Sequence, residues 1–235
     1  MMKLLTLLTL TSLLSFAARA QTLCWADYGA MPTQVGGRVK PLIVAAEETF
    51  KLISGKAKPF GEDAALSFCK LTFESLGLPS NLDLPVKVEH VEAKKLLGLK
   101  DSESTMPFSQ ISSKEEELRG AWQKRRENDS LKKELQKILT RVQMADAIRK
   151  GQLWTIPADV GGKTVWQTLP EFVTEEKIAQ ARASSPEPFR QLLADARAGY
   201  DKREGESYNL ESTYYKLQPF LWAMLFGVIA LGCVL

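Results

Sequence analysis

The sequence predicts a mainly α protein: an exported helical domain with a helical hairpin and a Pro/Gly/Trp-rich loop, followed by one transmembrane helix. Three observations carry this. Apolar residues recur at spacings of three and four through most of the region between residues 41 and 199. Residues 1–20 have the make-up of a secretory leader. The stretch from Pro219 to Leu235 carries no charge.

The leader comes first. Lys3 supplies the charged start, Leu4 to Ala17 is an uncharged, largely apolar run, and Ala18-Arg19-Ala20 is a small-x-small site before Gln21. An uncleaved anchor would export the body equally. Cys24 follows Thr-Leu, which is not a lipoprotein pattern. Residues 21–216 are then the exported domain. It opens with YGAMPTQVGGRVKPL, residues 28–42, a rigid and basic turn just before a helix. Pro41 suits a first helical turn, and LIVAAEETFKLI carries that helix toward Gly55. EDAALSFCKLTFESLG is a second helix, with Gly77 as its left-handed stop. DLPVKVEHVE alternates loosely, and Pro85 limits it to an edge strand or extended segment. EAKKLLG is a short helix. Residues 101–113 read as a Ser-rich loop.

Residues 114–150 are highly charged and helical. Leu131, Leu135, Ile138, Val142 and Ala145 make a stripe of only two heptads. That predicts an αα-hairpin packed on its own domain rather than a coiled coil between chains. Residues 151–172 hold tryptophans, prolines and glycines, and read as an ordered loop docked on the hairpin. Helices near 174–183 and 187–199 lead to the transmembrane helix, 217–235. The uncharged run from Pro219 spans roughly 25 Å as helix, at the short end for a bilayer. Tyr214, Tyr215, Phe220 and Trp222 sit where an interfacial aromatic belt would lie. With no polar residue after Leu235, this run is either a tail anchor or the first membrane helix of a longer protein.

Chemistry is sparse in the sequence. The net charge is +3, which gives no pull toward nucleic acid. PADVGGKT imitates a phosphate loop, but Pro157 stands where that loop needs a glycine and has no N–H to offer. The chain has one histidine, His90, too few for a bis-histidine haem site or a zinc site. There is no G-x-S-x-G, so a hydrolase using His90 ranks last. WQKRRENDS is basic, but flanking acids make it a solvated helix face. Asn128-Asp129-Ser130 is formally a glycosylation sequon. Cys24 and Cys69 share an oxidising compartment and can form one disulfide, whereas Cys233 would lie in lipid.

The stretch PTQVGGRVKPL, Pro32 to Leu42, closely resembles a signature of the Ccs-type (system II, ResB/ResC-like) cytochrome c biogenesis proteins. Pro32, Gln34, Gly37, Arg38, Lys40, Pro41 and Leu42 match that pattern. LPVKVEHVEAKKLLGL, KKELQKILTRVQMADAIRKGQLWTIP and ESTYYKLQPF are similar to later family segments, in the same order. Tyr215 stands where the family has Asn, and Ile43-Val44 where it often has Asp-Thr. The similarity covers most of residues 28–225, and the first motif is its specific part.

The resemblance implies the exported domain that precedes the first membrane helix of the synthase-like portion. It implies a place in the bacterial cytoplasmic (inner) membrane, with the bulk of the chain on the periplasmic side. Its partners would be membrane-embedded cytochrome c synthase components, apocytochrome c and the lipid bilayer. The family's haem-ligating histidines and Trp-rich motif lie in later helices, so no catalytic residue carries over. Haem would be handled through the complex rather than by this chain alone. The binding candidates are Pro32, Gln34, Gly37, Arg38, Lys40 and Pro41, with His90 as a haem-ligand candidate. Physically, Arg38 and Lys40 suit haem propionates, lipid phosphates or a carboxylate of their own domain; an internally paired Arg38 is the leading expectation. The alternative function is a membrane-tethered periplasmic scaffold unrelated to haem.

Overall fold

The signature stretch is a β-hairpin, not an irregular turn. In the computed structural model, which describes residues 23–78, 80–174, 176 and 187–232, a 3-10 turn at Ala26–Ala30 leads into β1 (Pro32–Val35) and β2 (Arg38–Pro41). The strands pair antiparallel, Val35 opposite Arg38. Gly36 and Gly37 form the two-residue turn with φ of 58° and 78°. Two positive φ values give the turn whose twist matches hairpin strands, and glycine reaches them without strain. The predicted leader lies outside the described residues.

Helix α1 (Leu42–Ser54) follows directly, with Pro41 at its N-cap and Gly55 left-handed at its end. Helix α2 (Ala64–Thr72) is capped by the Asp63 carboxylate, which accepts the Leu66 N–H at 3.1 Å. A 3-10 turn, Phe73–Leu76, carries it to Gly77. β3 (Pro85–Lys87) pairs antiparallel with β4 (Thr105–Pro107), and α3 (Val91–Leu97) lies between them in sequence. The stretch expected to be a Ser-rich loop thus contains β4 and a short helix, α4 (Phe108–Ser112). Met106 and Ile111 are buried there, and that burial orders an otherwise polar segment.

The charged region is the expected αα-hairpin. It is formed by α5 (Glu115–Gln123) and α6 (Ser130–Arg149). Leu131, Leu135, Ile138, Val142 and Ala145 are all buried, against α1, α2 and β3 among others. Two arginines of α6 fasten it to its neighbours. Arg141 donates to the carbonyls of Leu52 at 3.2 Å and Lys87 at 2.8 Å. Arg149 donates to the Glu74 carboxylate at 2.7 Å and the Leu82 carbonyl at 2.8 Å.

Residues 151–172 depart from the expected loop. They form a second hairpin, β5 (Thr155–Val160) and β6 (Lys163–Thr168), and a turn of helix, α7 (Leu169–Phe172). Gly161 and Gly162 take positive φ values within a few degrees of the first hairpin's glycines, 61° and 80°. The Pro157 that rules out a phosphate loop sits inside β5, opposite Trp166. The predicted helix near 174–183 falls largely outside the described residues. Helix α8 (Glu187–Glu204) runs further than expected, and Gly205 breaks it. Helix α9 (Asn209–Gly232) closes the described chain, with Pro219 inside it.

Among the described residues, no helix is long and apolar enough to cross a membrane. The transmembrane helix expected over 217–235 is therefore not seen as such. Helix α9 spends its first turns on polar residues such as Asn209, Glu211 and Gln218, and residues 233–235 lie outside the described part.

The core is organised on Trp154, which is fully buried just before β5. Its ring stacks on Phe73 at 6.1 Å and lies 5.7 Å from Tyr28, while Phe189 of α8 meets Phe73 edge-on at 5.4 Å. Beside this cluster a disulfide joins Cys24 to Cys69 of α2, with Cα atoms 5.8 Å apart. The Tyr28 hydroxyl and the Trp154 indole N–H are buried and find no protein partner. Packing, not polar bonding, therefore holds the cluster. Trp154→Ala is expected to cost about 3–5 kcal/mol in urea unfolding. Tyr28→Phe is expected to be neutral or stabilising, because it deletes an unpaired hydroxyl. A loss of more than about 1 kcal/mol in Tyr28→Phe would show that the hydroxyl is bonded after all.

Candidate functional site

The signature hairpin places its residues at one junction. Pro32 and Pro41 face each other at its base, and the Leu42 N–H donates to the Met31 carbonyl at 2.8 Å, setting α1's first turn. Thr155 clasps the hairpin from the side. The Gln34 N–H donates to the Thr155 hydroxyl at 2.8 Å, that hydroxyl reaches the Gln34 carbonyl at 3.2 Å, and the Thr155 N–H donates to the Thr33 hydroxyl at 3.2 Å. Gln34 thus enters the site through its backbone. Gly37 enters through conformation: a Cβ there would meet nothing within 4 Å, so φ and not space requires glycine.

The two cations turn onto carboxylates of the same chain. Lys40 has a side chain only 9% exposed; its ammonium donates to Glu48 of α1 at 2.6 Å and lies 3.9 Å from Glu211 of α9. Arg38 donates to Glu211 at 3.1 Å while its side chain stays 70% exposed. The difference follows from strand position. Lys40 sits near the hairpin base against α1, and Arg38 sits beside the turn. The internally paired arginine expected from the sequence is found, and its partner lies at the start of α9.

Helices α8 and α9 complete the junction. An open cleft of about 770 Å³ runs between the hairpin and their corner, lined by Arg38, Val39, Tyr200, Tyr208, Glu211 and Tyr214. Trp166 of β6, Tyr200 and Tyr208 form a ladder, with ring centroids 5.4 and 5.7 Å apart. The Tyr208 hydroxyl donates to the Asp201 carboxylate at 2.8 Å. Burial, aided by that carboxylate, pushes the Tyr208 phenol up to about 12. Sequence reading missed this ladder because its rungs come from segments far apart in the chain. The alternation Val165–Trp166 within a Gly-Gly hairpin pattern was the available signal.

His90 belongs to another part of the fold. It caps α3: its Nδ1 accepts the Glu92 N–H at 3.3 Å, and its Nε2 faces the Ser130 hydroxyl at 3.3 Å. Both ring nitrogens are engaged, so an axial haem bond would cost the cap or the Ser130 contact. Cys24 and Cys69 lie in the core as a disulfide. Among the described residues, no group of three or more His, Cys, Asp or Glu side chains is placed to hold a metal ion. The junction ties the first hairpin to α9 through Glu211 and the second to α8 through the Asp159–Arg203 pair, and among the described residues it pairs no nucleophile with a base. No protein-family model and no curated protein matches this chain.

Two outcomes follow. Arg38→Ala, at an exposed pair, is expected to cost less than about 1 kcal/mol. Lys40→Ala strips a buried cation from two carboxylates and is expected to cost about 2 kcal/mol or more in the same urea titration. Equal losses would contradict the division between an exposed and a buried cation. Alkaline titration tests Tyr208. Its folded value lies above the ordinary 10.0, so its contribution is whole below pH 10 and is lost as the pH climbs through about 12. Tyrosinate absorbance should show a late-titrating phenol that Tyr208→Phe removes.

Proposed function

We propose that this chain is the periplasm-facing part of a membrane-bound machinery for cytochrome c biogenesis. It supports haem delivery and attachment without a haem site of its own. Helix α9 anchors it in the bacterial cytoplasmic membrane, and membrane-embedded synthase components and apocytochrome c are its working partners. The observation that carries the reading is the position of the family-like signature. PTQVGGRVKPL forms the hairpin whose Arg38 and Lys40 both reach Glu211, at the foot of the apolar helix. A signature at that foot suits a domain that must hold a fixed attitude to the bilayer. The apolar side chains of α9 that stay exposed, Phe220, Leu221, Trp222, Leu225 and Phe226 among them, suit lipid as their surroundings, and the uncharged run continues to Leu235.

The chain's own residues offer support rather than chemistry. The hairpin and the Tyr208–Asp201 bond fix the foot of α9, and Arg38 keeps guanidinium surface toward solvent for an anionic partner. One observation favours the second reading, a membrane-tethered scaffold unrelated to haem. Both signature cations are already engaged by internal carboxylates.

A clean deletion of the gene decides between the two. The biogenesis role predicts loss of covalently bound haem from c-type cytochromes with b-type haem intact, and complementation by the full chain. Normal c-haem staining in the deletion strain would overturn it and leave the scaffold.

A further inference from the structure

The molecule carries the same small device twice. One hairpin tip reads Val35-Gly36-Gly37-Arg38 and the other Val160-Gly161-Gly162-Lys163. We propose that these two tips rest together on the headgroup layer of a phospholipid bilayer, their valines at the headgroup–acyl boundary and Arg38 and Lys163 beside lipid phosphates. The proposal rests on the reading of α9 as a membrane anchor and adds a second, separate contact to it.

The tips are bare by construction. All four turn glycines have positive φ, and a Cβ on any of them would meet nothing within 4 Å. Their apolar side chains are among the few large ones left exposed outside α9. Five large hydrophobic side chains outside α9 are exposed among the described residues: Val35, Leu52, Val91, Val160 and Val165. Three of the five belong to these two hairpins. The register puts Val160 opposite Lys163 and Val165 two residues on, so both valines and the lysine share one face. A valine beside a cation at a bare turn matches the headgroup region, where the side chain enters the acyl boundary and the charge stays at the phosphate.

Both tips also stand at the corner from which α9 departs. Arg203, in the last turn of α8, donates to Asp159 at 2.7 Å, and Glu204 accepts from Thr164 at 3.3 Å, both next to the second tip. Arg38 of the first tip donates to Glu211 in the first turn of α9. Of the nearby acids, Asp159 and Glu211 are each paired with an arginine, and Glu204 accepts from the Thr164 hydroxyl. Tyr214 lies one turn above Glu211, and the exposed apolar face of α9 continues from Leu217. Lipid is favoured over a partner protein because the exposed apolar side chains of α9 begin at the same corner as the two tips.

The experiment uses the full chain, with Cys233→Ser, reconstituted into phosphatidylcholine–phosphatidylglycerol vesicles. A fluorophore is attached at Val35→Cys or Val160→Cys, and at Leu52→Cys or Val91→Cys as controls. The control sites are 53% and 51% exposed, so exposure alone does not separate them from Val160 at 55%. Quenching by lipids with headgroup nitroxides is then measured, and carbonate extraction of the same vesicles reports whether α9 is inserted. The expected result is several-fold stronger quenching at Val35 and Val160 than at the controls, reduced to control level for the second tip by Val165→Asp and for either tip by loss of its cation (Arg38→Ser, Lys163→Ser). Equal quenching at all four sites in carbonate-resistant protein overturns the tip contact and leaves the anchor standing. Tip quenching in protein that carbonate extracts keeps the tip contact and overturns the anchor. Extraction without tip quenching overturns both.

Discussion

Trp154 is the constraint on which the arrangement depends. It stands between the helical core and the second hairpin, and its indole fills the space beside Phe73 and Tyr28. Its carbonyl accepts the Leu169 N–H at 2.9 Å, which turns the chain back after β6. Thr155 is the next residue, and its hydroxyl and N–H hold the first hairpin. A buried aromatic therefore sets the place of a polar clasp. Gly151, three residues earlier, is fitted so closely that a Cβ would come within 2.8 Å of the Pro170 ring. A side chain there would push the segment off the core and carry the clasp with it.

The electrostatics follow the same division between core and corner. Arg141 and Arg149 direct their guanidinium groups to backbone carbonyls as well as acids, and so join helices to the ends of neighbouring elements. Glu74, the carboxylate facing Arg149, is nonetheless held above its usual range because burial outweighs the attraction of the arginine. At the corner of α8 and α9 the ion pairs are shared. Glu211 serves both Arg38 and Lys40, and Asp201 accepts from Tyr208 and faces Arg197 at 3.4 Å. A foot built from shared pairs ties the orientation of α9 to two elements at once.

The helices were legible because their signals are local. The stripe from Leu131 to Ala145, the left-handed glycines at 55 and 77 and the cap at Pro41 act within a few residues of themselves. The hairpins were harder. Val35-Gly36-Gly37 and Val160-Gly161-Gly162 are short turn signals, and Pro32, Pro41 and Pro157 argue against strands until pairing is known. Prolines are tolerated here because each sheet has only two strands, so an outward N–H is not needed. The predicted Ser-rich loop failed for a related reason, since β4 exists only because β3 lies beside it. Of the site, the sequence yielded the residues of the signature and the internal pairing of Arg38. It did not yield Glu211, Thr155 or the tyrosine ladder, which come from distant segments. His90 was legible as a residue but not as a cap, because its acceptor role depends on backbone geometry at Glu92.

The clasp between Thr33 and Thr155 spans 122 residues, and the pair between Arg38 and Glu211 spans 173. A ribosome delivers the first hairpin early and its partners late. The hairpin, marginal as a two-stranded ribbon alone in water, has first only α1 to lean on, through Lys40 and Glu48. A polypeptide broken off before residue 155 would carry the signature with its Glu48 pair and lack the Thr155 clasp and the Glu211 pair. The signature hairpin thus gains its last polar contact, to Glu211, only once the chain has been made through the start of α9.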